Sequence, residues 1–318
     1  MEEKLVKIIN EMADYLNIAQ MKKLQEVLIK NLSDARPEKE QISNQEYLKM
    51  FIEAKQIEGC SARTLQYYQV TIEHLLKNID TVIRKITTDE IRTYLAEYQQ
   101  RNNCSKVTVD NVRRNISSFF SWLEEEDYIL KSPMRRIHKI KTKQPVKEII
   151  SDEMIERLRD NCRCSRDLAM IDLLYSTGIR VGELVGLNIS DIDFEERECV
   201  VYGKGDKERR VYFDKAKLHL QNYINSRTDT NPALFVTLDS PYERLKISGV
   251  EIRVRELGRK LNIEKIHPHK FRRTMATRAI DKGMPIEQVQ KILGHSQIGT
   301  TMQYAIVNQN NVKTSHRR

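Results

Sequence analysis

Apolar residues recur at three- and four-residue intervals along most of the chain, in blocks separated by short polar or proline-bearing stretches. Leu5, Ile8, Ile9, Met12, Leu16, Leu24, Val27 and Leu28 predict an amphipathic helix across 2–32, broken near Asn17 and ended by Pro37 and the polar run to Gln41. From Ser43 to Tyr128 the pattern is helical throughout. Ser61 precedes Leu65, Tyr68, Ile72, Leu75 and Leu76 in register, and Ser105 precedes Val109, Val112, Ile116, Phe119, Phe120 and Leu123. Between them Thr87-Thr-Asp-Glu90 has the form of a capping box, in which the hydroxyl and the carboxylate each satisfy a free backbone N–H. Four such helices make a compact all-α domain.

After Ser151 the texture changes. Helices near 152–161 and 166–176 lead to Gly178, which permits a turn, and Arg180 opens the next helix. Cys199–Tyr202 and Arg209–Phe213 read as strands joined by the turn Gly203-Lys204-Gly205-Asp206-Lys207. A helix from Lys215, a short strand Ala233–Val236, helices near 247–260 and 270–282, and a helix begun by Pro285 and stopped at Leu293-Gly294 follow. The expectation is a mainly α chain with a small β-hairpin, organised as an extension (1–37), a helical domain (38–130), a connector (131–148) and an α+β domain (149–318).

A length of 318 residues suits two domains, and 40% hydrophobic content fills a core in each. The net charge of +9 and a pI near 9.2 favour a polyanionic partner. The connector, KSPMRRIHKIKTKQPVK, holds seven Lys or Arg and no acid. Its Arg135, Arg136, Lys139 and Lys141 are candidates to lie along a sugar-phosphate backbone, as are Arg63, Lys106, Arg113 and Arg114 of the helical domain. For the four of the helical domain a solvated face accounts equally well, and for the connector the alternative is a flexible, solvated linker. The apolar run at Leu168 is interrupted by Asp172, well short of the roughly 20 residues that span a bilayer. With an N-terminal Met-Glu-Glu-Lys unlike a signal peptide, the expectation is a cytoplasmic protein with no membrane partner. The five cysteines include Cys162-Arg-Cys164, which has neither zinc nor redox spacing, so they read as reduced thiols.

The candidate chemistry centres on residues 294–304, Gly-His-Ser-Gln-Ile-Gly-Thr-Thr-Met-Gln-Tyr, where Tyr304 follows His295 by nine residues. A phenol, with a pKa of about 10, attacks poorly at neutral pH unless cations stabilise the phenolate and the reacting group. Those cations are found upstream. Thr177-Gly-Ile-Arg180-Val-Gly-Glu183-Leu, Gly203-Lys204-Gly-Asp-Lys-Glu-Arg, His269-Lys-Phe-Arg272 and Leu293-Gly-His295, ahead of Tyr304, resemble the tyrosine site-specific recombinases of the phage-integrase and Xer group in order and spacing. The resemblance covers about 43–310.

It implies a SAM-like helical core-binding domain followed by a catalytic domain, and a site in which Tyr304 attacks a DNA phosphodiester. Attack builds charge on the non-bridging oxygens, which Arg180 and Arg272 would hold with bidentate guanidinium forks while His295 adds a hydrogen bond. Lys204 would protonate the leaving 5′-oxygen, His269 would take or relay the Tyr304 proton, and Glu183 would hold the cations in place. No metal and no cofactor is implied. The implied partners are double-stranded DNA with inverted half-sites, copies of the chain forming a tetramer on two sites, and a second recombinase or accessory protein. The tail, 307–318, is expected to dock on a neighbouring protomer. The chain departs from the group's pattern at Arg273, where a second histidine is frequent, and at Ala305-Ile306 in place of Thr-His. Two rivals stay open: a type IB topoisomerase, which shares the chemistry, and a DNA-binding regulator with a silent site.

Overall fold

The hydroxyls of Ser43, Ser61, Thr87, Ser105 and Ser151 start helices that the hydrophobic pattern predicts, because a hydroxyl one position ahead of the helix accepts a backbone N–H that has no partner within it. The computed structural model describes residues 8–13, 15–33, 42–142, 148–203, 208–263 and 265–305, the side chains of 29–33 excepted. The chain divides into two units, Met1–Lys143 and Gln144–Arg318.

In the first unit residues 8–12 are helical, and the expected break at Asn17 is a cap. Its Oδ1 accepts from the Gln20 amide at 3.0 Å and starts α1 (Ile18–Ser33). The bundle follows as α2 (Asn44–Ile57), α3 (Ala62–Asn78), α4 (Thr88–Arg101) and α5 (Lys106–Glu125), capped by Ser43, Ser61, Thr87 and Ser105. Glu90 returns the bond of Thr87, as does Glu46 for Ser43. Phe51, Ile72, Leu75, Ile116, Phe119, Phe120 and Leu123 are wholly buried, each contributing about 1.5–3 kcal/mol. Phe51 and Phe119 meet edge to face with centroids 5.2 Å apart. One polar rung crosses this core: Asn115 donates to the Thr71 hydroxyl at 3.0 Å, and Thr71 donates to the Tyr67 carbonyl at 2.7 Å.

The basic stretch from 131 is not a free span. Pro133–Arg136 forms a 3₁₀ turn that buries Met134, and Ile137 and Ile140 pack on the bundle core. The Ile140 amide donates to Asp110 at 3.0 Å. Residues 143–147 lie outside the described residues.

The second unit comprises α6 (Asp152–Asp160), α7 (Ser165–Thr177), α8 (Val181–Gly186), β1 (Ile192–Asp193), β2 (Glu198–Tyr202), β3 (Glu208–Tyr212), α9 (Lys217–Asn225), α10 (Ile247–Lys260), α11 (Pro268–Asp281), α12 (Ile286–Leu293) and α13 (Ile298–Ala305). The strands form an antiparallel sheet in the order β1-β2-β3, with Cys199 opposite Val211 and Val201 opposite Arg209. Helix α7 is the centre of the unit. Its Ala169, Met170, Ile171, Leu173 and Leu174 have no exposed surface, and α9 and α11 pack against it.

Two expectations change here. Ala233–Val236 makes only single bridges, Asn188 to Ala233 and Val236 to Arg244, and the two-residue strand β1 was not expected. The turn residues 204–207, Lys204 among them, lie outside the described residues. Helix α11 ties down the entry to the unit, where the Ile150 amide donates to Thr274 at 2.9 Å and Arg278 pairs with Asp152 at 2.6 Å. The described cysteines are free thiols, and burial pushes Cys162 and Cys199 up to about 12. Among the described residues no helix is long and apolar enough to cross a membrane.

Candidate active site

Two glycines in the left-handed region set the site's frame. Gly178 ends α7 at φ +62°, and a Cβ there would stand 2.4 Å from the Met275 side chain. Gly294 ends α12 at φ +62°, and a Cβ there would come within 3.0 Å of the Arg209 side chain. Both carbonyls face cations: Arg272 donates to Gly178 O at 2.8 Å, and Arg180 donates to Gly294 O at 3.1 Å.

Arg180 precedes the short helix α8, so Glu183 falls one turn on and folds back to it. The Glu183 carboxylate accepts from the Arg180 amide at 2.7 Å and from its guanidinium at 2.8 Å. On its other side it accepts a bidentate fork from Arg209 of β3, at 2.8 and 2.6 Å, and Arg209 Nε donates to Ile292 O at 2.8 Å. Burial alone would raise the Glu183 pKa, but the hydrogen bonds from Arg209 and Arg180 outweigh it and hold the carboxyl below its ordinary 4.5. Arg209 went unassigned in the sequence. Its signal was its place two residues before buried Val211, on the inward face of the strand.

Arg272, on α11, is 2% exposed. Its guanidinium donates to Gly178 O, to Leu293 O and to His295 Nε2, the last at 3.0 Å. Burial and then the neighbouring Arg180 lower its pKa to about 10, which leaves it charged at neutral pH. His295, just beyond α12, lies between Arg272 and the Thr301 hydroxyl, 2.9 Å from Nδ1. Burial first, then the charges of Arg272 and Arg180, lower its pKa to about 4, so the ring is neutral at pH 7. Tyr304, 8% exposed, lies on α13 against Ala276, Val289 and Leu293, its ring stacked on His295 at a centroid distance of 6.1 Å.

The structure thus brings Arg180, Glu183, Arg272, His295 and Tyr304 into one neighbourhood. His269, at the exposed start of α11, stacks on His267 at 6.3 Å and adds to the field that lowers the His295 pKa. Arg273 donates to Glu148 O at 3.0 Å. A cleft of about 1050 Å³ opens beside the cluster, lined by Arg180, Arg209, Arg210, Lys291, His295 and Thr300 among others.

The basic candidates of the first unit are dispersed. Arg113 and Arg114 line one polar hollow of about 360 Å³ on α5. Arg113 pairs with Asp110 at 2.8 Å and Arg135 with Glu124 at 2.5 Å. Arg63 and Lys106 stand exposed in the first turns of α3 and α5, and Arg114, Arg136, Lys139 and Lys141 are also exposed.

Known proteins carry the same arrangement of domains. The pattern of the Phage integrase family matches residues 147–311, and that of the Phage integrase N-terminal SAM-like domain matches 47–130. The tyrosine recombinase XerC of Leptospira interrogans is 31% identical over 296 residues, 89% of this chain and 95% of that protein. In fold, the chain is similar to the Tn1549 transposon integrase in complex with a circular intermediate DNA (TM-score 0.72, 19% identity, 86% of this chain and 98% of that one). It is similar also to a lambda integrase tetramer bound to a Holliday junction (TM-score 0.67, 17% identity, 83% and 80%). With one pattern spanning more than half of its length and a relative matched nearly end to end, the chain belongs to the phage integrase family and is a tyrosine recombinase, an enzyme of site-specific DNA recombination.

Proposed function

We propose that Tyr304 is the nucleophile with which this recombinase cuts and rejoins double-stranded DNA. Its phenolic oxygen attacks a backbone phosphorus, a 3′-phosphotyrosyl bond forms, and the 5′-oxygen leaves and takes a proton. The new ester conserves the energy of the broken one. A 5′-hydroxyl from a second strand therefore reverses the step without ATP, and the chemistry calls on no cofactor.

The observation that carries this reading is the fixed cluster of Arg272, His295 and Tyr304, with Arg180 held beside it by Glu183. Charge accumulates on the phosphate's non-bridging oxygens in the transition state, and donors already fixed in place stabilise it without reorganising. A guanidinium serves here because it stays charged and offers a planar fork. Lys204 is assigned the proton for the 5′-oxygen, and His269 the proton of Tyr304.

The lambda integrase relative is a tetramer on a Holliday junction, and its likeness supports four copies of this chain acting on two DNA sites built from inverted half-sites. On this reading residues 307–318 dock on the neighbouring copy, which closes a ring of heterologous contacts. The enzyme acts where cytoplasmic DNA is found.

The assignment of Lys204 has a direct test. Lys204→Ala should fail on ordinary DNA yet cleave a substrate whose bridging 5′-oxygen is sulfur, since a thiolate leaves without a proton. Failure on both substrates would assign Lys204 to binding instead.

A further inference from the structure

His295 stands between two groups of unlike hydrogen-bonding character. A guanidinium has donors and no acceptor, so Nε2, 3.0 Å from Arg272, presents its lone pair there. The neutral ring therefore carries its proton on Nδ1 and donates it to the Thr301 hydroxyl at 2.9 Å. Thr301 has no exposed surface and lies three residues before Tyr304 on α13, so this bond also fastens the tyrosine's helix to the Arg272 cluster.

A phosphate oxygen can only accept. For His295 to serve it, the ring must present Nε2–H, the reverse of its state in the free protein. The surrounding cations disfavour a second proton on the ring, which leaves a change of tautomer: Nδ1 gives a proton to water and Nε2 takes one. The partner of Nδ1 must then change from acceptor to donor. A hydroxyl can do both by rotating about its C–O bond, whereas a carbonyl or an ammonium cannot.

We propose that Thr301 is a positioning residue whose hydroxyl fixes His295 as the Nδ1–H tautomer in the free enzyme and then supports the Nε2–H tautomer that hydrogen-bonds the scissile phosphate. This deepens the reading given above and rests on its assignment of His295 to the phosphate. Thr301 touches no reacting atom and acts through the imidazole.

Valine matches threonine in shape and lacks the hydroxyl, so Thr301→Val tests the bond with little change in packing, and Thr301→Ser restores it. In ¹⁵N-histidine spectra of the full-length free protein, wild type and Thr301→Ser should show His295 as one Nδ1–H tautomer, and Thr301→Val a mixture. Cleavage of DNA that wild type captures covalently should fall by about 10- to 100-fold in Thr301→Val, by analogy with the loss when a metal-bound histidine loses the group that orients its ring. It should recover to within a few-fold in Thr301→Ser. On a His295→Ala background, Thr301→Val should add no further loss. A wild-type spectrum or rate in Thr301→Val would overturn the proposal, as would a loss that multiplies with that of His295→Ala. Wild-type cleavage by His295→Ala itself would overturn the underlying assignment of His295, and is read separately from the tautomer.

Discussion

The interiors of the two units are built from different materials. The first is filled mainly by hydrocarbon and aromatic rings, Phe51, Phe119, Phe120 and Trp122 among them, with a neutral Thr71–Asn115 rung and the buried carboxylate of Asp110 paired with Arg113. The second buries Arg166, Asp167, Asp172, Glu183, Arg272 and Arg273, and Arg272 is its bulkiest fully buried side chain. Removing a charge from water is costly, and an apolar residue of similar volume often stabilises a fold as well or better. Two of these charges, Arg272 and Glu183, belong to the cluster proposed to hold the phosphate, whereas Arg166 pairs with Asp167 and Asp172 with Arg159. It follows that the first unit's core should fail as a matter of stability, and the second unit's cluster as a matter of chemistry.

Phe119→Ala and Arg272→Ala break this contrast from opposite sides. The first should cost about 3–5 kcal/mol in the denaturation of its own unit, the usual loss for a buried ring, and leave cleavage per folded molecule unchanged. The second should slow cleavage by about 10²-fold or more. It should also lower the melting temperature of its unit, because the carbonyls of Gly178 and Leu293 lose a buried donor. Full cleavage by Arg272→Ala would mean that the phosphate is held elsewhere.

Acid should separate the units next. His295 titrates at about 4 in the folded chain against an ordinary 6.5. Between those values the unfolded state binds the extra proton, so stability of the second unit falls as pH drops from 6.5 to about 4. Glu183, whose folded pKa is depressed, contributes stability above its unfolded value that is lost as pH falls further, through the folded pKa. Urea titrations of His295→Asn should show a flatter profile between pH 6.5 and 4, and a slope as steep as wild type would remove His295 as its source.

The smallest expected effects lie on the first unit's surface. Exposed Arg114→Gln should reduce the log–log salt dependence of DNA binding by about one unit. Arg113→Gln should do less, since Arg113 is already neutralised by Asp110. Equal slopes for both would erase that distinction.

The parts of this molecule that depend on neighbours in sequence were legible before any coordinates. The caps at Ser61, Thr87 and Ser105 and the stops at Gly178 and Gly294 are local, and each lies where it was read. Features set by distant partners were not. The single bridges of Ala233 and Val236 depend on Asn188 and Arg244, far along the chain. The docking of Met134 was hidden by the basic residues around it, although Met134, Ile137 and Ile140 keep a helical spacing. At the site, the resemblance to the tyrosine recombinases pointed to Arg180, Glu183, Arg272, His295 and Tyr304, which the fold gathers. It did not reveal that Arg209 grips Glu183, or that the Thr301 hydroxyl meets His295 Nδ1, because spacing within a motif does not say which of its side chains meet once the segments fold together.

Covalent capture tests the central claim most directly. Wild-type protein incubated with a duplex whose 5′-leaving strand diffuses away after cleavage should give a protein–DNA adduct that survives denaturation, and peptide mapping should find the phosphate on Tyr304. Tyr304→Phe, which keeps the ring and loses the attacking oxygen, should give no adduct while binding the same DNA within a few-fold of wild type. An adduct formed by the Phe variant, or one mapped to another tyrosine, would contradict the account.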